Sequence, residues 1–243
     1  MSDPVLSLSE VRVSYGGNTV LSVDQLDLYA GELVGVVGAN GAGKSTLVNT
    51  AMAWSRGNPV MHATVKLRGK DLSSVPTHRR VEEGLLLVPE GKLVFSSMTV
   101  EENLMNGWEG ASKDRRAYSI EDVFSLFPRL RERRNHLGGQ LSGGERQMLG
   151  IGKALRLAPR ALLLDEPSIG LAPKLVLTVL ETVASLAEEG LCVLLVEQNV
   201  KAAIEVVDRL VLLERGRIVE SGPVGEMRDN PRIAEVYLGA HAA

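Results

Sequence analysis

Three groups of residues have types and spacings that could do chemistry. The first is Gly38-Ala-Asn-Gly-Ala-Gly-Lys44-Ser45, which satisfies G-x-x-x-x-G-K-[ST] without deviation. Glycines let the backbone curl so that successive N–H groups face inward around a phosphate, and a helix starting behind them adds its positive end. Lys44 supplies a point cation for β- and γ-phosphates, Ser45 a hydroxyl for Mg²⁺, and Thr46 a second hydroxyl beside it. The second group is Asp165-Glu166, directly after the apolar run Ala161-Leu-Leu-Leu164. Ligands of open α/β sheets sit beyond the carboxyl ends of the strands, so Asp165 suits the Mg²⁺ carboxylate of a P-loop enzyme. Glu166, one residue on, is expected to point to the other side of an extended chain, where it could polarise an attacking water. The plainer reading of Glu166 is a capping carboxylate. The third group is Leu141-Ser-Gly-Gly-Glu145-Arg-Gln147. Its serine and glycines precede a predicted helix, with Ser142 suited to the N-cap role, so they can form a second anion site at a helix N-terminus. Two phosphate-type sites in one chain make sense if the second serves a nucleotide held mainly by another subunit.

These residues need a scaffold of buried strands. Residues 5–15 alternate apolar and polar and end at Gly16-Gly17, a strand and a turn, and 20–32 reads as another extended stretch. Leu33–Val37 and Leu85–Val88 are continuously apolar, as buried parallel strands are. Helix spacing is expected over 44–53, a short strand over 64–67. From about 91 to 140 the apolar strand runs vanish and charge-rich helical patterns appear (100–104, 120–127, 129–134), which reads as a helical insertion. The run at 129–134 carries Arg129, Arg131, Arg133 and Arg134 with Glu132, a solvated helix face or a partner-docking surface. Alternation then resumes: helix 142–157, strand 161–164, helix 173–189, strand 191–196, helix 200–207, a hairpin from Arg209–Glu214 to 217–221, and short helices over 224–238. Alternating strands and helices imply an α/β fold around a mostly parallel, helix-covered sheet. No repeat or linker interrupts it, so 1–243 is expected to be a single nucleotide-binding domain with a helical subdomain at about 91–140.

Composition excludes other classes. With 44% hydrophobic and 23% charged residues over 243, the chain is neither disordered nor fibrous, and it is long enough to bury a sizeable core. A net charge of −3 and only 4% aromatic residues leave neither a basic field nor stacking platforms, so no nucleic-acid partner is expected. The single cysteine, Cys192, lies in an apolar run and reads as a buried structural thiol. No run approaches the ~20 apolar residues of a membrane span, and the first residues lack a signal-peptide pattern. The expectation is a soluble intracellular protein, held at any membrane by a partner.

The ordered set of motifs resembles the ATP-binding-cassette (ABC) ATPases over essentially the whole chain. The resemblance implies a P-loop fold of ABC type, with an N-terminal antiparallel β subdomain beside the core sheet. It also implies a head-to-tail dimer, with a sister cassette or a second copy, that sandwiches two ATP molecules. Tyr15 would stack on adenine; Gly38, Asn40, Gly41, Gly43, Lys44, Ser45 and Thr46 would hold ATP; and Ser45, Asp165 and Glu90 would hold Mg²⁺. Glu166, with Glu90 and Gln198, would form the catalytic centre. Ser142, Gly143, Gly144 and Glu145 would touch the ATP of the opposite subunit, and Ser168-Ile-Gly-Leu-Ala172 would cross between the two sites. Val88-Pro-Glu-Gly-Lys-Leu-Val-Phe95, Met98-Thr-Val-Glu-Glu-Asn-Leu104, Asp165-Glu-Pro-Ser-Ile-Gly-Leu-Ala-Pro173, Val196-Glu-Gln-Asn199 and Tyr237-Leu-Gly239 narrow it further. They are similar to the second ATPase subunit of high-affinity branched-chain amino-acid importers, with urea or short-amide importers a sister branch. The implied partners are two transmembrane permease subunits and, indirectly, a periplasmic or extracellular binding protein. The implied place is the cytoplasmic face of the inner (plasma) membrane, peripherally bound.

Two positions depart from the general ABC pattern. Glu90 stands where most members carry glutamine, placing an added negative charge beside the triphosphate. Gln198 stands where most carry histidine; it can donate a hydrogen bond but carries no charge. His62, His78, His136 and His241 all lie elsewhere in the chain. A weakly hydrolysing regulatory cassette is therefore the alternative, against which Lys44, Asp165 and Glu166 argue. A DNA-repair or translation ABC protein would bring paired cassettes, coiled-coil arms or zinc inserts, none of which this sequence has.

Overall fold

The computed structural model describes residues 3–91, 94–106, 115 and 117–234. The chain opens with β1 (Leu6–Tyr15) and β2 (Asn18–Leu28), a hairpin closed by Gly16 and Gly17, both at positive φ. β3 (Leu33–Val37) leads into α1 (Lys44–Ala51). β4 (Val60–Leu67), β5 (Lys70–Asp71), α2 (Thr77–Glu83) and β6 (Leu85–Val88) follow. Three short helices, α3 (Val100–Met105), α4 (Ile120–Leu126) and α5 (Pro128–Glu132), precede α6 (Gly143–Arg156). The rest alternates: β7 (Ala161–Asp165), α7 (Pro173–Glu188), β8 (Cys192–Glu197), α8 (Val200–Ile204), the hairpin β9 (Arg209–Glu214) and β10 (Arg217–Pro223), then α9 (Val224–Met227).

Two sheets result. An antiparallel sheet of order β2-β1-β4-β5 forms the expected N-terminal subdomain, and a six-stranded sheet of order β10-β9-β3-β8-β7-β6 forms the core. The core strands pair in parallel except β10, which folds back antiparallel on β9. Period-two alternation splits the core strands between two apolar layers, as the pleat requires. Leu33, Val37, Leu162, Leu164, Val193 and Leu195 face the layer built with α3 to α8. Val34, Val36, Leu163, Leu194, Val196 and Val211 face the other layer, built with Leu47, Val48 and Ala51 of α1 and the antiparallel sheet. The core sheet is thus covered on both faces, which is why its strands read as unbroken apolar runs. The helices of the insertion share the first layer: Val100, Leu104, Val123, Phe124 and Leu130 pack with Met148 and Ile151 of α6. Capping boxes set the starts of α3 and α4, Thr99 with Glu102 and Ser119 with Asp122.

The differences from expectation have physical causes. The helix expected over 44–53 ends at Ala51, and the one expected over 129–134 is α5, ending at Glu132. β4 starts at Val60 rather than 64, because its first three residues are exposed and give no alternation to see. No sequence signal marked α2. The buried residue on this helix is Arg80, whose guanidinium donates to the carbonyls of Val75, Ser73, Thr50 and Ala51. A helix docked by an arginine shows no apolar stripe. The closing Tyr237-Leu-Gly239, His241 and the end of the expected tail helices lie outside the described residues, as does the middle of the helical insertion.

Candidate active site

The phosphate-type loop hangs between β3 and α1. β3 is buried at every residue and central in its sheet, so the loop starts from a fixed point. Gly38 is there because a Cβ at that position would lie 2.2 Å from the Leu213 carbonyl oxygen on β9. Gly43, at φ 104, caps α1 in the left-handed region. Lys44 is 4% exposed and folds back into the curl. Its Nζ donates to the carbonyls of Gly38 at 2.9 Å and Ala39 at 3.3 Å, and lies 3.3 Å from Glu166 Oε1.

Ser45, first turn of α1, donates its hydroxyl to Asp165 Oδ1 at 3.0 Å. Asp165 closes β7 and is buried. Burial pushes its carboxyl up to about 6, helped by the negative charges of Glu166 and Glu90 and opposed by the Ser45 hydroxyl and Lys44. An open cleft of about 260 Å³ lies over this pair, lined by Tyr15, Ser45, Thr46, Trp54, Glu90 and Asp165 among others. Glu90 is exposed on its rim, in the loop after β6. The hydroxyl, the Asp165 carboxylate and Glu90 are all oxygen donors, the hard set that Mg²⁺ takes with substrate phosphates. Among the described residues no three His, Cys, Asp or Glu side chains converge as a metal cage.

Glu166 corrects an expectation. It does not continue an extended chain; it sits in the left-handed region at φ 48. Its N–H donates to the Val196 carbonyl at 2.9 Å, and its carbonyl accepts from Ile169 N–H at 3.2 Å. The resulting turn points the carboxylate back at Lys44 instead of across the sheet. Gln198, half-buried, follows β8, the strand beside β7. The structure thus gathers Lys44, Ser45, Asp165, Glu166 and Glu90 at the carboxyl ends of neighbouring strands, with Tyr15 and Thr46 lining the same cleft.

Ser142, Gly143, Gly144 and Glu145 form a separate surface at the start of α6. Ser142 and Glu145 close a capping box: Glu145 N–H donates to Ser142 Oγ at 3.3 Å, and Ser142 N–H to Glu145 Oε2 at 2.9 Å. Arg133 Nε lies 3.5 Å from Glu145. Ser142 and Gly143 are exposed, and a Cβ on Gly144 would meet Leu175 Cδ1 of α7 at 2.8 Å. None of the four lines the cleft over Asp165. The sequence reading missed Glu197, whose buried carboxylate binds Ser168. An acid at the end of an otherwise apolar strand was the available signal.

A family model described as ABC transporter matches residues 21–169. The chain is 41% identical to the high-affinity branched-chain amino acid transport ATP-binding protein BraG of Pseudomonas aeruginosa, over 97% of this chain and 100% of that protein. It is 35% identical to the probable branched-chain amino acid transport ATP-binding protein LivF of Archaeoglobus fulgidus, over 88% and 89%. It is 30% identical to the lipopolysaccharide export system ATP-binding protein LptB of Haemophilus influenzae, over 97% of each. A solved ATP-binding cassette of an ABC transporter in its ADP conformation superposes with a TM-score of 0.81 at 23% identity, over 98% of this chain and 100% of that one, a likeness of fold.

Proposed function

The chain belongs to the ABC transporter family, and from that premise we propose that it is the ATP-hydrolysing subunit of an importer for branched-chain amino acids. The observation that carries the ATPase reading is Lys44, held between the loop carbonyls and Glu166 with the Ser45–Asp165 pair beside it. This set can bind a triphosphate, orient it and hold a carboxylate near its end. The reaction is phosphoryl transfer to water, in which the protein contributes positioning and charge rather than covalent chemistry. Lys44 leaves the loop carbonyls for the β- and γ-phosphates, and the loop N–H groups and the start of α1 cradle them. Ser45, Asp165 and Glu90 would hold Mg²⁺, which neutralises charge developing on the phosphates. Glu166 orients the water and takes its proton, Gln198 donates to the γ-phosphate, and Tyr15 packs on the base.

The chain works in this reading as one nucleotide-binding domain that supplies half of each site. Ser142 and Gly143, both exposed, would meet the ATP of a second cassette, the same chain or a sister. Ile169, 51% exposed in the segment between the sites, would be covered by that partner. Among the described residues no helix is long and apolar enough to cross a membrane; in this reading other chains supply the permease. An apolar cleft of about 370 Å³, lined by Met52, Trp54, Leu86, Val88 and Leu157 among others, is the proposed permease seat. Pro89 and Trp54 line both this cleft and the one over Asp165, so the loop carrying Glu90 links the two. Binding of two ATP molecules would close the dimer and hydrolysis reopen it, at the cytoplasmic face of the membrane.

The cargo rests on BraG and LivF, whose names concern branched-chain amino acids. The LptB relatives show the same cassette serving a different transporter at lower identity, which favours as a second reading the same ATPase with another cargo. Uptake of labelled leucine, competed by isoleucine and valine, is expected to be lost on deletion of the gene and to return with the native chain but not with Lys44→Ala. Uptake unaffected by deletion would contradict the cargo assignment.

A further inference from the structure

Glu197 ends β8 and is 1% exposed. Its strand neighbours are Val37, the last residue before the phosphate loop, and, one residue earlier, the pair Val196–Asp165. Its carboxylate accepts from three neutral donors: Ser168 N–H at 3.0 Å, Ser168 Oγ–H at 2.8 Å and Asn199 N–H at 3.4 Å. A buried carboxylate on neutral donors is expensive, because the desolvation it suffers is not met by an opposite charge. Its charged neighbour Glu166 is also negative, which adds to the cost. For stability alone an apolar strand end would serve better.

The contacts point to a reason. Ser168 lies in the turn begun by Glu166, whose left-handed backbone is tied to Val196 by one main-chain hydrogen bond and closed by Ile169 N–H. Glu197 grips the same turn from the adjacent residue of β8, with two hydrogen bonds to Ser168, and with its third holds the turn that carries Gln198. We propose that Glu197 is a positioning residue: its carboxylate locks the 166–169 turn and the Gln198–Asn199 turn in one register, which keeps the Glu166 carboxylate opposite Lys44. It also anchors the segment running to Ile169 and Leu171, so a displacement there would be felt at Glu166. The inference rests on the ATPase reading of the site.

Two readouts test it in the full-length chain. Cys192 is the sole cysteine and is buried, so Ile169→Cys accepts a nitroxide label at one exposed position. Glu197→Ala and Ser168→Ala are expected to sharpen its spectrum as the turn loosens. In the unlabelled chain the same substitutions lower kcat, by roughly tenfold to a hundredfold for Glu197→Ala, as misplacement of a reacting group does. Affinity for a fluorescent ATP analogue stays within about twofold, so the loss appears in kcat and not in binding. The double variant is no slower than Glu197→Ala alone, because both remove one grip. If Glu197→Ala does not fold, Ser168→Ala decides, since it deletes only a hydroxyl. A parent chain without ATP turnover would overturn the ATPase reading and this inference with it. A parent that turns over ATP while the folded variants keep its kcat, or lose kcat with the label's spectrum unchanged, would overturn this inference alone.

Discussion

At the scale of single residues, the site is a set of carboxylates around one lysine. Asp165 is the sharpest case. Its native carboxyl, raised by burial to about 6, holds its proton more tightly than in the unfolded chain. Its contribution to stability is therefore fully present below its ordinary value of 3.8 and is lost as pH rises through about 6. Metal binding needs the opposite, deprotonated form. Mg²⁺-dependent nucleotide affinity is thus expected to weaken as pH falls from about 7 to about 5, and Asp165→Asn should flatten that dependence. Fluorescence titration with and without Mg²⁺ at each pH measures it; a slope that survives Asp165→Asn would contradict the assignment. Most of these residues were legible in the sequence, since the loop pattern and an acid pair after an apolar run fix residue types by chemistry. The direction of Glu166 was not, because a left-handed residue reverses a side chain without leaving a pattern. Glu197 was missed for a related reason: its role depends on Ser168, 29 residues away in sequence.

At the scale of elements, position is enforced by close backbone approach. β3 and β9 carry the phosphate loop so tightly that only glycine fits at 38, where a Cβ would lie 2.2 Å from the Leu213 oxygen. Gly38→Ala forces the two apart, and overpacking of this kind costs about 1–3 kcal/mol, with nucleotide binding lost as well. Urea denaturation and nucleotide titration of that variant check both; native stability would contradict the account. Buried strands were readable from apolar runs, and the start of α6 from Ser142 at its N-cap; the capping boxes at Thr99 and Ser119 went unread. α2 was unreadable because a guanidinium on backbone carbonyls docks it. β4 was half-readable because half of it is solvated.

At the scale of the molecule, one mostly parallel sheet between two apolar layers holds both surfaces that the proposed reaction needs. The alternation of strands and helices announced that architecture, whereas the antiparallel sheet was implied only by the resemblance to ABC ATPases. Cys192 reports on it: in the layer shared with α1 its thiol is pushed up to about 12 by burial. It is expected to resist alkylation in the native chain and to react only on unfolding, which mass spectrometry after maleimide treatment would show; rapid native labelling would contradict the packing. Ser142, Gly143 and Gly144 do not line the chain's own cleft, in keeping with the proposal that the molecule is half of a shared ATP-hydrolysing device. Phosphate release from Mg²⁺-ATP by the purified chain, native against Glu166→Gln, tests this most directly. The account predicts steady release by the native chain and, in the variant, retained nucleotide binding with release reduced to background. Release by Glu166→Gln at the native rate would contradict it.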